Sequence, residues 1–349
     1  MPFSQIVIAN RVSFINEILK YDSLSIVGLE KNTGKTESLK YVLERLPLDK
    51  KRIAVTSIGI DGETTDQVTH TQKPEIVLRE NMFFGTSEAH YRQRRLVSEL
   101  IDVSDETTSL GRVVTAKALT GGKILLSGPS SSVGLQRWMN EMKRFNIDLV
   151  IIDGALSRLS SASPAVSQSM ILATGAAYSA NVSTLVQKTA FVVELINLDL
   201  TSKRNIELLS PIDKGLWIVN KDGELHYQHT HTSLSQQIHF EGMENCSAIY
   251  VAGALVDGFL EKVRQNKYLK GVEIVVRDFT KIFVSPQQFR IFEKMGGRIR
   301  VLQKSNLIAV TVNPTSPSGY VLDSDTLCKK LSETINLPVY DLLKSKECN

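Results

Sequence analysis

Apolar and polar residues along the first sixty positions follow the order strand, helix, strand. Residues 24–28 form a short, mostly apolar run, residues 34–46 have the spacing of a helix, and residues 52–60 form a second apolar run. A strand followed by a helix of about 15 residues and another strand is typical of a βαβ unit, whose strands lie parallel. The pattern therefore predicts an α/β fold with a mostly parallel sheet flanked by helices.

The same pattern continues along most of the chain. Strands are predicted at residues 112–118, 123–129, 148–153, 170–175, 248–252, 272–277 and 307–312, and helices at residues 9–20, 130–142, 182–196, 253–266, 287–295 and 323–335. Residues 75–78 and 81–84 are predicted to form a short hairpin, and residues 89–100 a helix.

Between residues 198 and 240 the sequence becomes more polar and alternates as exposed strands do. Residues 216–219 and 224–227 are joined by Asn-Lys-Asp-Gly, a turn sequence typical of hairpins. We therefore predict an α/β core over residues 1–197, a small inserted β subdomain over residues 198–240, and a C-terminal α/β portion over residues 241–349.

Composition narrows the range of partners. The 349 residues carry 41 Lys and Arg against 37 Asp and Glu, a net charge of +4 without a concentrated basic tract, so nucleic acid is not an expected partner. No segment approaches the roughly 18 apolar residues of a membrane span, and the N-terminus lacks a signal-peptide pattern. Three widely separated cysteines favour reduced thiols and a cytoplasmic setting.

The segment from Gly28 to Thr36 has the pattern of a phosphate-binding loop. Gly34-Lys35-Thr36 opens the predicted helix, where unpaired N–H groups and the helix dipole attract phosphate oxygens. The lysine would reach the β- and γ-phosphates of ATP, and the threonine hydroxyl would bind Mg²⁺. Five residues rather than four separate the two glycines, so Leu29 stands at the usual first glycine position. The predicted cofactor-binding residues are Lys31, Asn32, Thr33, Gly34, Lys35 and Thr36.

Acidic residues follow two of the predicted strands. Asp153 ends the run at 148–153, and Asp61 follows the run at 52–60. Carboxylates at this edge of a parallel sheet can hold Mg²⁺ directly or through its water. A solvated acid at a strand end is the alternative for Asp61. We predict Lys35 and Asp153 as catalytic residues, and Thr36, Asp61 and Asp153 as metal ligands.

Three further features have candidate chemistry. Residues 128–134, Gly-Pro-Ser-Ser-Ser-Val-Gly, fit either a second phosphate site or a helix N-cap turn. Asn313 ends the strand at 307–312 and has the donor and acceptor needed to read a purine edge, so it is predicted to bind the cofactor. Four of the six histidines fall within 14 residues and fit either a metal site or an exposed polar strand. They are His226, His229, His231 and His239.

The phosphate loop with five intervening residues resembles that of dethiobiotin synthetase and the related cobyrinate-type synthetases. Residues 153–155 resemble that group's acid-Gly-Ala step, and residues 312–317 with 337–338 resemble its adenine-reading segment. The resemblance implies a P-loop NTPase sheet with ATP and Mg²⁺ as cofactors. It also implies phosphate and metal binding by Lys35 and Thr36, Asp153 beside the metal, and base reading by Asn313, so that residues 241–349 complete the nucleotide site. The carboxylation lysine and substrate motifs of the biotin pathway are not recognisable.

Other segments resemble the P-loop accessory proteins encoded with B12-dependent lysine 5,6-aminomutase, which are assigned to reactivation of the aminomutase together with a MutS-like ATPase. The resemblance lies in residues 57–63, 110–114, 153–158, 171–176 and 313–317. It implies an ATP-dependent accessory factor whose inserted region contacts a partner. The alternative is an ATP-dependent ligase or kinase that acts on a small carboxylate, with Asp61, Ser157 and Arg158 lining its substrate site.

Overall fold

The computed structural model describes residues 13–58, 75–155, 163, 166–228, 233 and 245–344. The strands are β1 (Ser23–Gly28), β2 (Ile53–Ser57), β3 (Ile76–Leu78), β4 (Phe83–Ser87), β5 (Ser98–Thr108), β6 (Gly111–Ala118), β7 (Gly122–Ile124), β8 (Leu149–Ala155), β9 (Ser169–Gly175), β10 (Leu216–Asn220), β11 (Leu225–Tyr227), β12 (Cys246–Val251), β13 (Leu255–Val256), β14 (Glu273–Val276), β15 (Ile282–Phe283), β16 (Arg298–Val301), β17 (Asn306–Asn313) and β18 (Val339–Asp341). The helices are α1 (Ser13–Ile18), α2 (Lys35–Arg45), α3 (Glu88–Arg92), α4 (Ser132–Met142), α5 (Val182–Ile196), α6 (Lys203–Leu209), α7 (Asp257–Gln265), α8 (Pro286–Lys294) and α9 (Ser324–Ile335). Short 3₁₀ turns lie at Lys143–Phe145, Lys267–Leu269 and Phe279–Lys281.

The larger sheet has nine strands among the described residues, in the order β18-β17-β9-β1-β8-β2-β4-β6-β5. The strands from β18 to β4 are parallel, whereas β6 and β5 add antiparallel pairs at one end. The prediction of an α/β fold with a mostly parallel sheet flanked by helices is therefore confirmed. The carboxyl ends of the parallel strands meet at one edge, where ligands bind in open sheets of this kind.

Both faces of this sheet are covered by helices. Leu149 and Ile151 of β8 belong to an apolar cluster that includes residues of α1 and α2. Val150 and Ile152, which alternate with them, belong to a second cluster that includes Trp138 of α4. Because successive strand residues face opposite sides, a strand buried on both faces must be apolar at nearly every position. This explains the continuous apolar runs in the sequence.

The structure divides into two compact units. One comprises Met1–Ala190 and Asn306–Asn349, and the other comprises Phe191–Ser305. The second unit has its own five-stranded sheet in the order β11-β10-β12-β14-β16. In that sheet β12, β14 and β16 are parallel, while β10 pairs antiparallel with both β11 and β12.

These pairings confirm the predicted hairpin at β10 and β11 but give different boundaries from those predicted. A boundary at residue 240 would separate β10 from β12, which share a ladder of backbone hydrogen bonds. Strands β12, β14 and β16 extend this second sheet, whereas β13 and β15 pair with each other. Among the described residues of the C-terminal portion, only β17 and β18 join the larger sheet.

Two local predictions between β2 and β6 are wrong. Residues 75–84 do not form a hairpin, because β3 pairs antiparallel with β7 and β4 pairs parallel with β2. The predicted helix at 89–100 is limited to the short α3, since residues 98–108 form β5 and pair along β6. Strand pairing here overrides local helix propensity.

No helix in the part of the chain that the structure describes is both long enough and apolar enough to cross a membrane.

Candidate phosphate-binding site

Strand β1 leads directly into the predicted phosphate loop. Gly28 is its last residue, and the Leu29 N–H donates to Ala173 O at 2.8 Å, which continues the β1–β9 ladder by one residue. The Leu29 side chain is only 3% exposed. Leu29 therefore acts as an extension of the strand, and the turn itself comprises residues 30–34.

The turn has a defined internal geometry. The Thr33 hydroxyl donates to Glu30 O at 2.8 Å, and Asn32 and Gly34 have φ angles of +62° and +92°. Gly34 is the N-cap of α2 and supplies no side chain to the first-turn N–H groups. A helix start without a side-chain cap, following a tight turn, offers its amides to an anion.

Lys35 and Asp153 meet at this edge of the sheet. Strand β8, which holds Asp153, pairs in parallel with β1. Lys35 Nζ lies 3.0 Å from Asp153 Oδ1, and the two side chains are 26% and 20% exposed. Oδ1 itself is buried and receives no hydrogen bond, so this contact has the distance of an ion pair without the angles of a hydrogen bond. The structure thus brings together the two residues predicted as catalytic.

Ser57 is a neighbour of Asp153 that the sequence analysis did not select. It is aligned with Asp153 in the β2–β8 register, and its hydroxyl accepts a hydrogen bond from Gly128 N at 3.2 Å. An ideal Cβ on Gly128 would lie 2.0 Å from Ser57 O, so only glycine fits this approach. The sequence signal that could have selected Ser57 is its position at the end of a buried strand.

The segment after Gly128 forms a helix cap. The Ser131 side chain accepts a hydrogen bond from Gly134 N at 3.0 Å and is the N-cap of α4. Of the two alternatives for residues 128–134, the structure has the N-cap turn.

A buried polar cluster lies at the end of β4. His90 Nδ1 and Ser127 Oγ are 2.7 Å apart, and Ser127 Oγ also donates to Ser87 Oγ at 2.7 Å. His90 is 2% exposed and both serines are fully buried. Because these groups are enclosed and hydrogen-bonded to one another, the cluster stabilises the fold at the edge of the site. The sequence analysis missed it, since its members are distant along the chain.

Asn313 reaches the phosphate loop from the end of β17. Its Nδ2 donates to Asn32 O at 2.9 Å, and its Oδ1 accepts from Thr315 N at 3.1 Å. A surface groove lies between this strand end and the start of α2. Its lining residues are Gly34, Glu37, Ser38, Thr311, Val312, Asn313, Leu342 and Leu343.

Several predicted residues lie outside the described residues, namely Asp61, Ser157, Arg158, His229, His231 and His239. His226 lies in β11, where Nε2 is 3.0 Å from Asn220 Nδ2. Within the described ranges, no group of three or more His, Cys, Asp or Glu side chains could hold a metal ion. The two alternatives for the four histidines, a metal site and an exposed polar strand, therefore both stay predictions.

Comparison of the chain with protein-family models, with curated proteins and with solved structures gives no match.

Proposed function

We propose that the chain is a Mg²⁺-dependent ATPase of the P-loop class that serves as an accessory factor for a B12-dependent aminomutase. The observation that supports nucleotide binding is the 3.0 Å contact between Lys35 Nζ and the buried, otherwise unbonded Asp153 Oδ1. This pair lies beside a helix start that has no side-chain cap. A lysine ammonium group, a helix start without a side-chain cap and a carboxylate on the neighbouring strand are groups that a triphosphate with its metal requires.

The residues present fit a magnesium ion. Asp153 offers a buried carboxylate oxygen without a hydrogen-bond donor, and Thr36 offers a hydroxyl in the first turn of α2. Mg²⁺ prefers such oxygen ligands and usually completes its octahedral shell with water and phosphate. When bound, the ion would neutralise charge on the β- and γ-phosphates. Asp61 stays a predicted ligand.

Lys35 would exchange one anionic partner for another when nucleotide binds. In the structure its ammonium group lies against Asp153. A phosphate oxygen would draw the ammonium group away and leave the carboxylate for the metal. The ion pair therefore keeps both charges satisfied until the ligand arrives.

The accessory role is proposed from the resemblance to proteins encoded with lysine 5,6-aminomutase. In this proposal, ATP binding and hydrolysis change a surface that engages the aminomutase or a MutS-like ATPase partner. The ligase or kinase alternative depends on Asp61, Ser157 and Arg158, which lie outside the described residues. No contact in the described part of the chain favours it.

The first test is calorimetric titration of Mg²⁺·ATP into the wild type and Lys35→Ala. Loss of a charged hydrogen-bond donor should weaken binding by about tenfold to a hundredfold. Lys40→Ala is the matched control, because Lys40 lies on the same helix and is paired with Glu37 at 2.9 Å. Equal affinities for the wild type and Lys35→Ala would exclude this loop as the nucleotide site, and absence of binding by the wild type would remove the nucleotide function.

The second test measures recovery of lysine 5,6-aminomutase that has been inactivated by turnover. The wild type with Mg²⁺·ATP should restore activity, whereas Lys35→Ala should not. Absence of recovery by the wild type, or recovery without ATP, would contradict the accessory role. Phosphate release that is stimulated only by a small carboxylate would favour the ligase alternative.

A further inference from the structure

We infer that Asn313 is a positioning residue, whose hydrogen bond to Asn32 O holds the phosphate loop in its binding conformation. The inference rests on the nucleotide-binding function proposed above. It differs from the role predicted for Asn313 from the sequence, and it starts from the hydrogen bonds of the side-chain amide.

Both ends of the Asn313 amide are bonded to the main chain. Nδ2 donates to Asn32 O, and Oδ1 accepts from Thr315 N. These partners fix the orientation of the amide, because a carbonyl can only accept and a backbone N–H can only donate. Reading an adenine edge uses the amide oxygen and nitrogen together. In the observed orientation one N–H of Nδ2 and one lone pair of Oδ1 are already used by the main chain, and these two contacts set the direction of the amide.

The carbonyl that Asn313 binds belongs to a residue in an uncommon conformation. Asn32 has a φ angle of +62°, and such left-handed residues persist when their neighbours hold them. The hydrogen bond from Asn313 provides such a restraint at the centre of the turn. It orients the peptide between Asn32 and Thr33, whose N–H belongs to the phosphate loop.

Asn313 is itself held by the sheet. Its carbonyl accepts from Ala176 N at 2.8 Å, and β17 is paired with β9 up to this residue. An ideal Cβ on Gly34 would lie 3.1 Å from Asn313 Cβ, so the end of the loop packs directly against the asparagine stem. Asn313 therefore connects the turn to the rigid edge of the sheet.

A residue that acts through the loop affects the phosphates, which ATP, GTP and inorganic tripolyphosphate have in common. Removing the hydrogen bond to Asn32 should therefore lower the affinity for all three ligands by the same factor. A residue that reads the purine base would affect binding of the nucleotides and leave binding of tripolyphosphate unchanged. The two roles thus predict different selectivity after the same substitution.

The test is calorimetric titration of Asn313→Ser with the Mg²⁺ complexes of these three ligands. Serine is neutral, its hydroxyl can accept from Thr315 N, and it is too short to replace the bond to Asn32 O. We expect affinities about three- to tenfold weaker for all three ligands, as for loss of one neutral hydrogen bond. Loss confined to the two nucleotides or to ATP, with tripolyphosphate unchanged, would overturn the inference, and so would unchanged affinities for all three ligands. Asn181→Ser is the matched control, because Asn181 caps α5 through a hydrogen bond from Thr184 N.

Hydrogen exchange provides a readout that needs no nucleotide. In the ligand-free protein, amides of residues 29–36 should exchange faster in Asn313→Ser than in the wild type, while those of β8 and β9 stay unchanged. Unaltered exchange in the loop would overturn the positioning role even if affinity falls. If the wild type binds none of the three ligands, the proposed function fails, and the exchange comparison still decides whether Asn313 restrains the loop.

Discussion

Replacing Gly28 by alanine is a direct perturbation of the predicted phosphate loop. An ideal Cβ at this position would lie 2.7 Å from Thr33 Oγ1, 3.3 Å from Glu30 O and 3.5 Å from Lys35 Cβ. The first distance is too short for a carbon and an oxygen, so the loop has to move. The affected hydroxyl is the one that donates to Glu30 O and closes the turn.

The expected cost follows from two contributions. Overpacking of this size costs about 1–3 kcal/mol, and weakening of the Thr33 hydrogen bond adds about 1 kcal/mol. An outward shift of the loop would relieve the overpacking and weaken the hydrogen bond at the same time, so the two costs are not simply added. We therefore expect the first unit to lose about 1–3 kcal/mol of its free energy of unfolding.

Urea unfolding followed by tryptophan fluorescence measures this loss. The chain has two tryptophans, and Trp138 is buried against the larger sheet, whereas Trp217 lies in the second unit. A Trp217→Phe background therefore reports on the first unit alone. Both the midpoint and the slope should be compared, since a change of slope would indicate loss of two-state behaviour.

A double-mutant cycle tests the cause. Thr33→Ala removes the hydroxyl that the new methyl group meets, so Gly28→Ala should cost about 1 kcal/mol less in that background. Thr33→Ser keeps the hydroxyl and should leave the cost unchanged. If Gly28→Ala costs the same in all three backgrounds, the contact with Thr33 is not the reason for glycine at this position.

Two further outcomes can be measured separately. Ser127→Ala should lower the free energy of unfolding by about 1–3 kcal/mol, because it removes the buried hydroxyl that contacts His90 Nδ1 and accepts a hydrogen bond from Ser87 N; a cost below about 0.5 kcal/mol would contradict this. Burial raises the pKa of Cys246 and of Cys328 to about 11. In a Cys348→Ser variant, labelling by a disulfide reagent should therefore be slow at pH 8 and accelerate with pH up to about 11, and fast, complete labelling at pH 8 would refute it.

The parallel centre of the fold could be predicted because its local signals agree. The runs that became β1, β2, β8, β9 and β17 are mostly apolar, and the predicted helix at 182–196 coincides with α5. Such runs reveal that a strand is buried on both sides. They also place Asp153 at the correct edge of the sheet before any partner strand is known.

The assignment of strands to sheets could not be predicted in the same way. Strands β12 and β17 both have buried apolar runs, yet β12 pairs with β10 and β17 pairs with β9. A local pattern records burial and not the identity of the neighbouring strand. The chain leaves the first unit and returns to it at Asn306, and no turn signal distinguishes that return from any other connection.

The candidate site shows the same limit at the level of single side chains. Lys35 and Asp153 were predictable as a pair, because each lies just after or at the end of a parallel strand, which places both at the same edge of the sheet. Their opposite charges attract each other even when the exact distance between them changes a little. The role of Asn313 depends on which way one amide points, and this is determined by Asn32 O and Thr315 N, which the sequence does not reveal as neighbours. The role of a charged residue can therefore be assigned from its position in a motif. The role of a neutral amide has to be assigned from its hydrogen-bond partners. The same reasoning applies to Ser57, which is neutral and aligned with Asp153. Its role should be assigned from the partners of its hydroxyl, which accepts a hydrogen bond from Gly128 N, and not from its place at a strand end.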